Sequence, residues 1–77
     1  MKDAVLIKSY QSGITLLMRE DASLEEILQE LAVKFTEAKN FFGTSTMALS
    51  MEGREVTEEE EIRILDTIRK NSNVRIA

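Results

Sequence analysis

A chain of 77 residues with no cysteine and no histidine makes one small domain, in which disulfides, thiolate chemistry, Ser-His and Cys-His dyads and most zinc sites are excluded together. At this length only about 60–65% of the unfolded chain's surface is buried, which leaves little room for an internal cofactor cavity and puts function on the surface. The formal charge of −4, with 10 basic residues scattered among 14 acidic ones, argues against nucleic acid, because phosphate binding draws on clustered cations that release counterions.

The first apolar stretch, residues 4–7, is ended by Lys8. It is too short for a signal-peptide core or a membrane span, so no direct membrane insertion is expected. A secreted domain this small would need disulfide staples, and a cytoplasmic location is the simpler expectation.

Residues 4–10 (AVLIKSY) alternate as a strand, with Val5, Ile7 and Ser9 on one face and Leu6, Lys8 and Tyr10 on the other. Gln11-Ser12-Gly13 is turn chemistry, with Gly13 expected to supply the positive φ of a tight hairpin. Residues 14–19 (ITLLMR) return as a second strand, Ile14, Leu16 and Met18 against Thr15, Leu17 and Arg19. A helix over residues 23–39 opens on a capping box, Ser23 with Glu26, and carries an apolar stripe of Leu24, Ile27, Leu28, Leu31, Ala32, Phe35 and Ala38. Its polar face holds Glu25, Gln29, Glu30, Lys34 and Glu37, with Glu30 and Lys34 in the favourable i,i+4 order.

Asn40 and Gly43 mark that helix's exit, and residues 46–52 (TMALSME) alternate as a third strand, Met47, Leu49 and Met51 against Ala48, Ser50 and Glu52. After a turn at Glu52-Gly53-Arg54-Glu55, a second capping box, Thr57 with Glu60, opens a helix to about Lys70 whose expected buried stripe is Ile62, Ile64, Leu65 and Ile68. Asn71-Ser72-Asn73 ends it, and Val74-Arg75-Ile76-Ala77 reads as the start of a last strand, so a fragment of a longer protein is expected. The order ββαβαβ predicts an α+β domain, a small four-stranded sheet with two helices packed on one face and the other face open.

No constellation for catalysis stands out, and no catalytic, cofactor-binding or metal-binding residue is assigned. Lys8 reads as an outward strand residue rather than a base. Glu58-Glu59-Glu60-Glu61 and Glu25-Glu26 point around their helix axes and favour the positive dipole end, so they read as helix starts rather than metal ligands. Gly43-Thr44-Ser45-Thr46 lacks the GK[ST] ending of a phosphate loop and leads into a strand. Phe41-Phe42 reads as core packing under the sheet edge.

The remaining signal is a surface. Were Leu6, Lys8, Tyr10, Thr15, Leu17 and Arg19 the buried face, two cations would be desolvated, which costs more than exposing a few apolar groups. Turned outward, Leu6, Leu17 and Tyr10 form an apolar centre rimmed by Lys8 and Arg19, the make-up of a protein-binding patch.

From Val5 to Leu28 the chain resembles the amino-terminal domain of the MinC cell-division inhibitors of Gram-positive bacteria. The pattern is an apolar strand ending in Ile7-Lys8, a turn to Gly13, Ile14-Thr15-Leu16, the acidic turn Glu20-Asp21 and the helix start Ser23-Leu24-Glu25-Glu26-Ile27-Leu28. Lys39-Asn40-Phe41-Phe42-Gly43, Glu52-Gly53-Arg54-Glu55 and the Glu-rich second helix extend it over nearly the whole chain. The resemblance implies that residues 1–77 are an FtsZ-binding, assembly-inhibiting domain. It further implies a separate β-helical carboxy-terminal domain, absent here, that makes the full-length protein a homodimer and binds the membrane-associated MinD. Lys8 matches the family's lysine at the end of the first strand and Gly13 its turn glycine, while Ser9 stands where the family usually has glycine. An alternative of another class is a small-molecule-sensing regulatory domain that dimerises through the open sheet face, since fold does not fix function.

Overall fold

The computed structural model describes residues 3–76. Strands β1 (Val5–Ser9) and β2 (Gly13–Met18) form the expected antiparallel hairpin, with Leu6 opposite Leu17 and Lys8 opposite Thr15. Helix α1 (Leu24–Glu37) and the one-turn helix α2 (Lys39–Phe42) lead to β3 (Thr46–Glu52), and helix α3 (Glu58–Asn71) leads to the short β4 (Arg75–Ile76). The sheet runs β1-β2-β3-β4, with β2, β3 and β4 mutually parallel and β1 the antiparallel edge. Parallel neighbours need crossovers, and each crossover here is a helix laid over the same face.

Both helix starts follow the local chemistry. Ser23 Oγ accepts from the Glu26 N–H at 3.2 Å, and Thr57 Oγ1 accepts from the Glu60 N–H at 3.2 Å. In return the Glu60 carboxylate accepts the Thr57 N–H at 3.0 Å. Each box satisfies two amides that the first helical turn leaves without partners.

The core lies between one sheet face and the two helices. Val5, Ile14, Leu16 and Met18 meet Ile27, Leu31 and Phe35 of α1 and Ile64 and Ile68 of α3, all fully buried. Ile7, Met47, Leu49 and Met51 pack on its margin. Strand alternation therefore sends the expected residues inward, and β2 alternates between buried and half-buried at every step.

Four local expectations are corrected. An extra turn of helix, α2, makes the order ββααβαβ. Within it Phe42 is buried and stacks on Phe35 with ring centroids 5.6 Å apart, whereas Phe41 is 77% exposed, so the aromatic pair is split between core and surface. Ile62 is 66% exposed, because it stands about 200° around the helix from Ile64 and cannot share its face. Gly13 has no positive φ; that conformation belongs to Gly43 and Gly53. Gly13 is instead the first residue of β2, where a Cβ would stand 3.3 Å from the Ala48 carbonyl oxygen, so its bareness serves the close approach of β3.

Candidate protein-binding surface

Among the described residues no helix covers the second face of the sheet, and the register dictates what it presents. One row runs Leu6, Leu17, Glu52, and the next Lys8, Thr15, Ser50. Gly13 then lies beside Ala48, and Thr46 beside Arg75. Tyr10 follows β1 in the same alternation, held by its N–H donating to the Gly13 carbonyl at 2.8 Å, and is 61% exposed. Leu6, Thr15 and Leu17 are half-buried, supported from the sides by their strand neighbours. Lys8 is exposed and makes no hydrogen bond or ion pair among the described residues.

Leu6, Lys8, Tyr10, Thr15 and Leu17 are thus brought together as the alternation predicts, and Gly13, which the resemblance implied as a turn glycine, lies on the same face. Ser9 and Arg19 are not. Ser9 shares the side of Val5 and Ile7, and is exposed there. Arg19 lies just past β2 and is committed to the first turn of α1. Its Nε donates to Asp21 Oδ1 at 2.6 Å and its Nη2 to Glu26 Oε2 at 3.1 Å. The Asp21 hydrogen bond raises the already high Arg19 pKa, desolvation opposes that rise, and Glu26 adds a lesser increase. The carboxylates of Asp21 and Glu26 therefore hold this cation at the start of α1.

Sequence reasoning left out the third-strand contribution: Ala48, Ser50 and Glu52 continue the open face, and Arg75 extends it at one end. Their alternation was legible, but their position beside β2 was not. Glu52 in the Leu6–Leu17 row gives that end a negative charge, while Lys8 and Arg75 supply positive ones.

The outer edge of β1 adds backbone groups. Even-numbered residues of β1 bond to β2, as the Tyr10 and Arg19 amides show, so the N–H and C=O of Ile7 and Ser9 point away from the sheet. At the strand's start the same edge is covered: the Glu30 carboxylate accepts from the Val5 N–H at 3.3 Å and Lys34 Nζ donates to the Val5 carbonyl. Among the described residues no group of three or more acidic side chains converges as a metal site would require, and no helix is long and apolar enough to cross a membrane. The arrangement offers shape, apolar area and a few fixed charges, which is the chemistry of recognition.

A family model described as "Cell-division inhibitor MinC, N-terminal domain-like" matches residues 5–77, which include the hairpin and both long helices. The chain belongs to the MinC N-terminal domain family. Curated relatives carry the name "Probable septum site-determining protein MinC". That of Lachnospira eligens is 40% identical over 76 residues, covering 99% of this chain and 31% of the relative. That of Agathobacter rectalis is 33% identical over 76 residues, with 99% and 31% covered, and that of Fusobacterium nucleatum 31% identical over 77 residues, with 100% and 36% covered. The chain thus spans about a third of the length of the curated MinC relatives it matches. No solved structure gives a significant match. MinC is a family of division regulators concerned with where the septum forms, and the recognition chemistry of the open face accords with that class.

Proposed function

We propose that this domain inhibits cell division by docking its open sheet face on the tubulin-like protein FtsZ and opposing FtsZ assembly. The observation that carries the reading is the register: Leu6, Leu17, Thr15, Tyr10 and an unengaged Lys8 share one face that neither helix covers. Leu6, Leu17 and Tyr10 supply apolar area, and Lys8 pairs with an acidic group on the partner. An apolar centre with charges at its margin is how a specific interface excludes water and fixes its register. In a protein of the relatives' length, a carboxy-terminal domain would bind MinD and bring this one to the membrane indirectly.

The test is FtsZ sedimentation with the 77-residue chain added. Lys8→Glu is expected to abolish inhibition while leaving the circular dichroism spectrum and thermal midpoint nearly unchanged, because the exposed Lys8 side chain makes no hydrogen bond or ion pair among the described residues. Leu17→Glu, at a half-buried position beside Glu52, is expected to abolish inhibition at some cost in stability, whereas Ser9→Ala, on the opposite side, is expected to leave inhibition intact. Full inhibition by a folded Lys8→Glu chain would rule out this face.

A further inference from the structure

The helix layer carries a second surface, on the side of the molecule opposite the open sheet face. Between α1 and α3 runs a groove of about 780 Å³ whose apolar lining includes Leu28, Ala32, Ile62 and Leu65. Ile62, 66% exposed, is the most accessible apolar side chain of α3. Charge along α3 is segregated by end: four glutamates occupy the first turn, and Arg69 and Lys70 the last. Glu60 is engaged by Arg54, but Glu58, Glu59 and Arg63 have no ion-pair partner among the described residues. Asp66 contacts both Lys70, at 2.9 Å, and Arg69, at 3.7 Å, and so balances only one of those two charges.

We propose that the exposed face of α3 bordering this groove is a self-association surface, at which two copies of the chain pack α3 against α3 in antiparallel fashion about a two-fold axis. Glu58, Ile62, Leu65 and Arg69 recur at three- and four-residue spacing and so form one stripe along the helix. In an antiparallel pair, the register that sets Glu58 of one copy opposite Arg69 of the other also sets Ile62 opposite Leu65. On the adjoining stripe, nearly the same register sets Glu59 opposite Lys70 and Arg63 opposite Asp66. A two-fold interface must be self-complementary, and a helix that is acidic at one end and basic at the other, with apolar residues between, meets that condition with itself. A parallel arrangement would oppose like charges at both ends. The contact extends over a helix of about 20 Å and belongs at the small end of specific interfaces, roughly 1,200 Å² or less in total. Association is therefore reversible and concentration-dependent, and leaves the open sheet face free.

Sedimentation velocity over a concentration series decides the matter, with circular dichroism confirming that each variant folds. The unmodified chain is expected to pass reversibly from monomer to dimer, more weakly at high salt. Arg69→Glu with Lys70→Glu, and separately Glu58→Lys with Glu59→Lys, are each expected to weaken dimerisation about tenfold or more, since each opposes like charges. An equimolar mixture of these two variants is expected to recover dimer, because each altered end then meets an opposite charge. Ile62→Asp is expected to keep the chain monomeric. A strictly monomeric unmodified chain would overturn the proposal and leave the groove to some other acidic helix. A dimer indifferent to both reversals, or a mixture no tighter than its components, would also overturn it.

Discussion

The Glu30 carboxylate receives the backbone N–H of Ala4 on both of its oxygens, at 2.9 and 3.0 Å. This helix side chain, which its sequence context assigns to a solvated face, acts as a clip for the first strand. Lys34, one turn on, lies 3.7 Å from Glu30 and donates to the Val5 carbonyl, so the pair brackets the start of β1 from above. An edge strand presents unpaired backbone groups, and covering them is one way to stop unwanted strand pairing.

Glu30→Ala is accordingly expected to cost about 1–2 kcal/mol, the range for hydrogen bonds to a partly exposed charged group. Urea denaturation measures the loss, and amide exchange locates it. Protection at Ala4 and Val5 should fall while protection at Leu17 in the hairpin interior persists.

Gly53 lies at φ +90°, and a Cβ there would overlap the Met18 carbonyl oxygen. The obstacle is backbone, which cannot rotate away. Gly53→Ala is expected to lower stability by about 3 kcal/mol or more, through strain and displacement of β3 from β2. A chain that melts within a degree or two of the original would refute this.

Phe35 and Phe41 provide a contrast in burial. Phe35 is fully buried and stacked on Phe42, while Phe41 is 77% exposed with its edge against the Phe42 ring. Phe35→Ala is expected to cost about 3–5 kcal/mol as a large core truncation, a large fraction of the stability of so short a chain. Phe41→Ala is expected to stay within about 0.5 kcal/mol. Paired denaturation curves would distinguish the two.

Stability should depend on acid through Glu60. The Arg54 guanidinium, hydrogen-bonded to this carboxylate, and the Thr57 N–H hold its pKa below the ordinary value of 4.5. The unfolded chain then binds the proton more readily than the folded one, so stability rises with pH in this range. The contribution is fully present above pH 4.5 and is lost as pH falls through the lowered folded value. Asp66, lowered from 3.8 chiefly by its hydrogen bond to Lys70, acts in the same sense at lower pH. Glu60→Gln is expected to flatten the upper part of the acid limb in a plot of urea midpoint against pH. An unchanged slope there would remove Glu60 from the account.

Much of the candidate site was legible because strands alternate. Once Val5, Ile14, Leu16 and Met18 are assigned inward, Leu6, Lys8, Thr15 and Leu17 must face the other way. The prediction lapsed at the strand ends. Arg19 lies beyond Met18, where alternation no longer constrains the side chain and two nearby carboxylates capture it. Ile62 is apolar in composition, but its position around α3 places it outward.

The sequence by itself determined the helix starts and the face each strand buries. Ser23 with Glu26 and Thr57 with Glu60 interact across three residues, and a period of two needs no distant partner to be read. Only the tertiary structure decided that β3 lies parallel beside β2, that Glu52 therefore joins the row of Leu6 and Leu17, and that Glu30 reaches the amides of Ala4 and Val5. Those pairings join segments 25 or more residues apart. They are chosen by which packing of the whole chain buries the apolar faces and satisfies the backbone, a condition that no local pattern encodes.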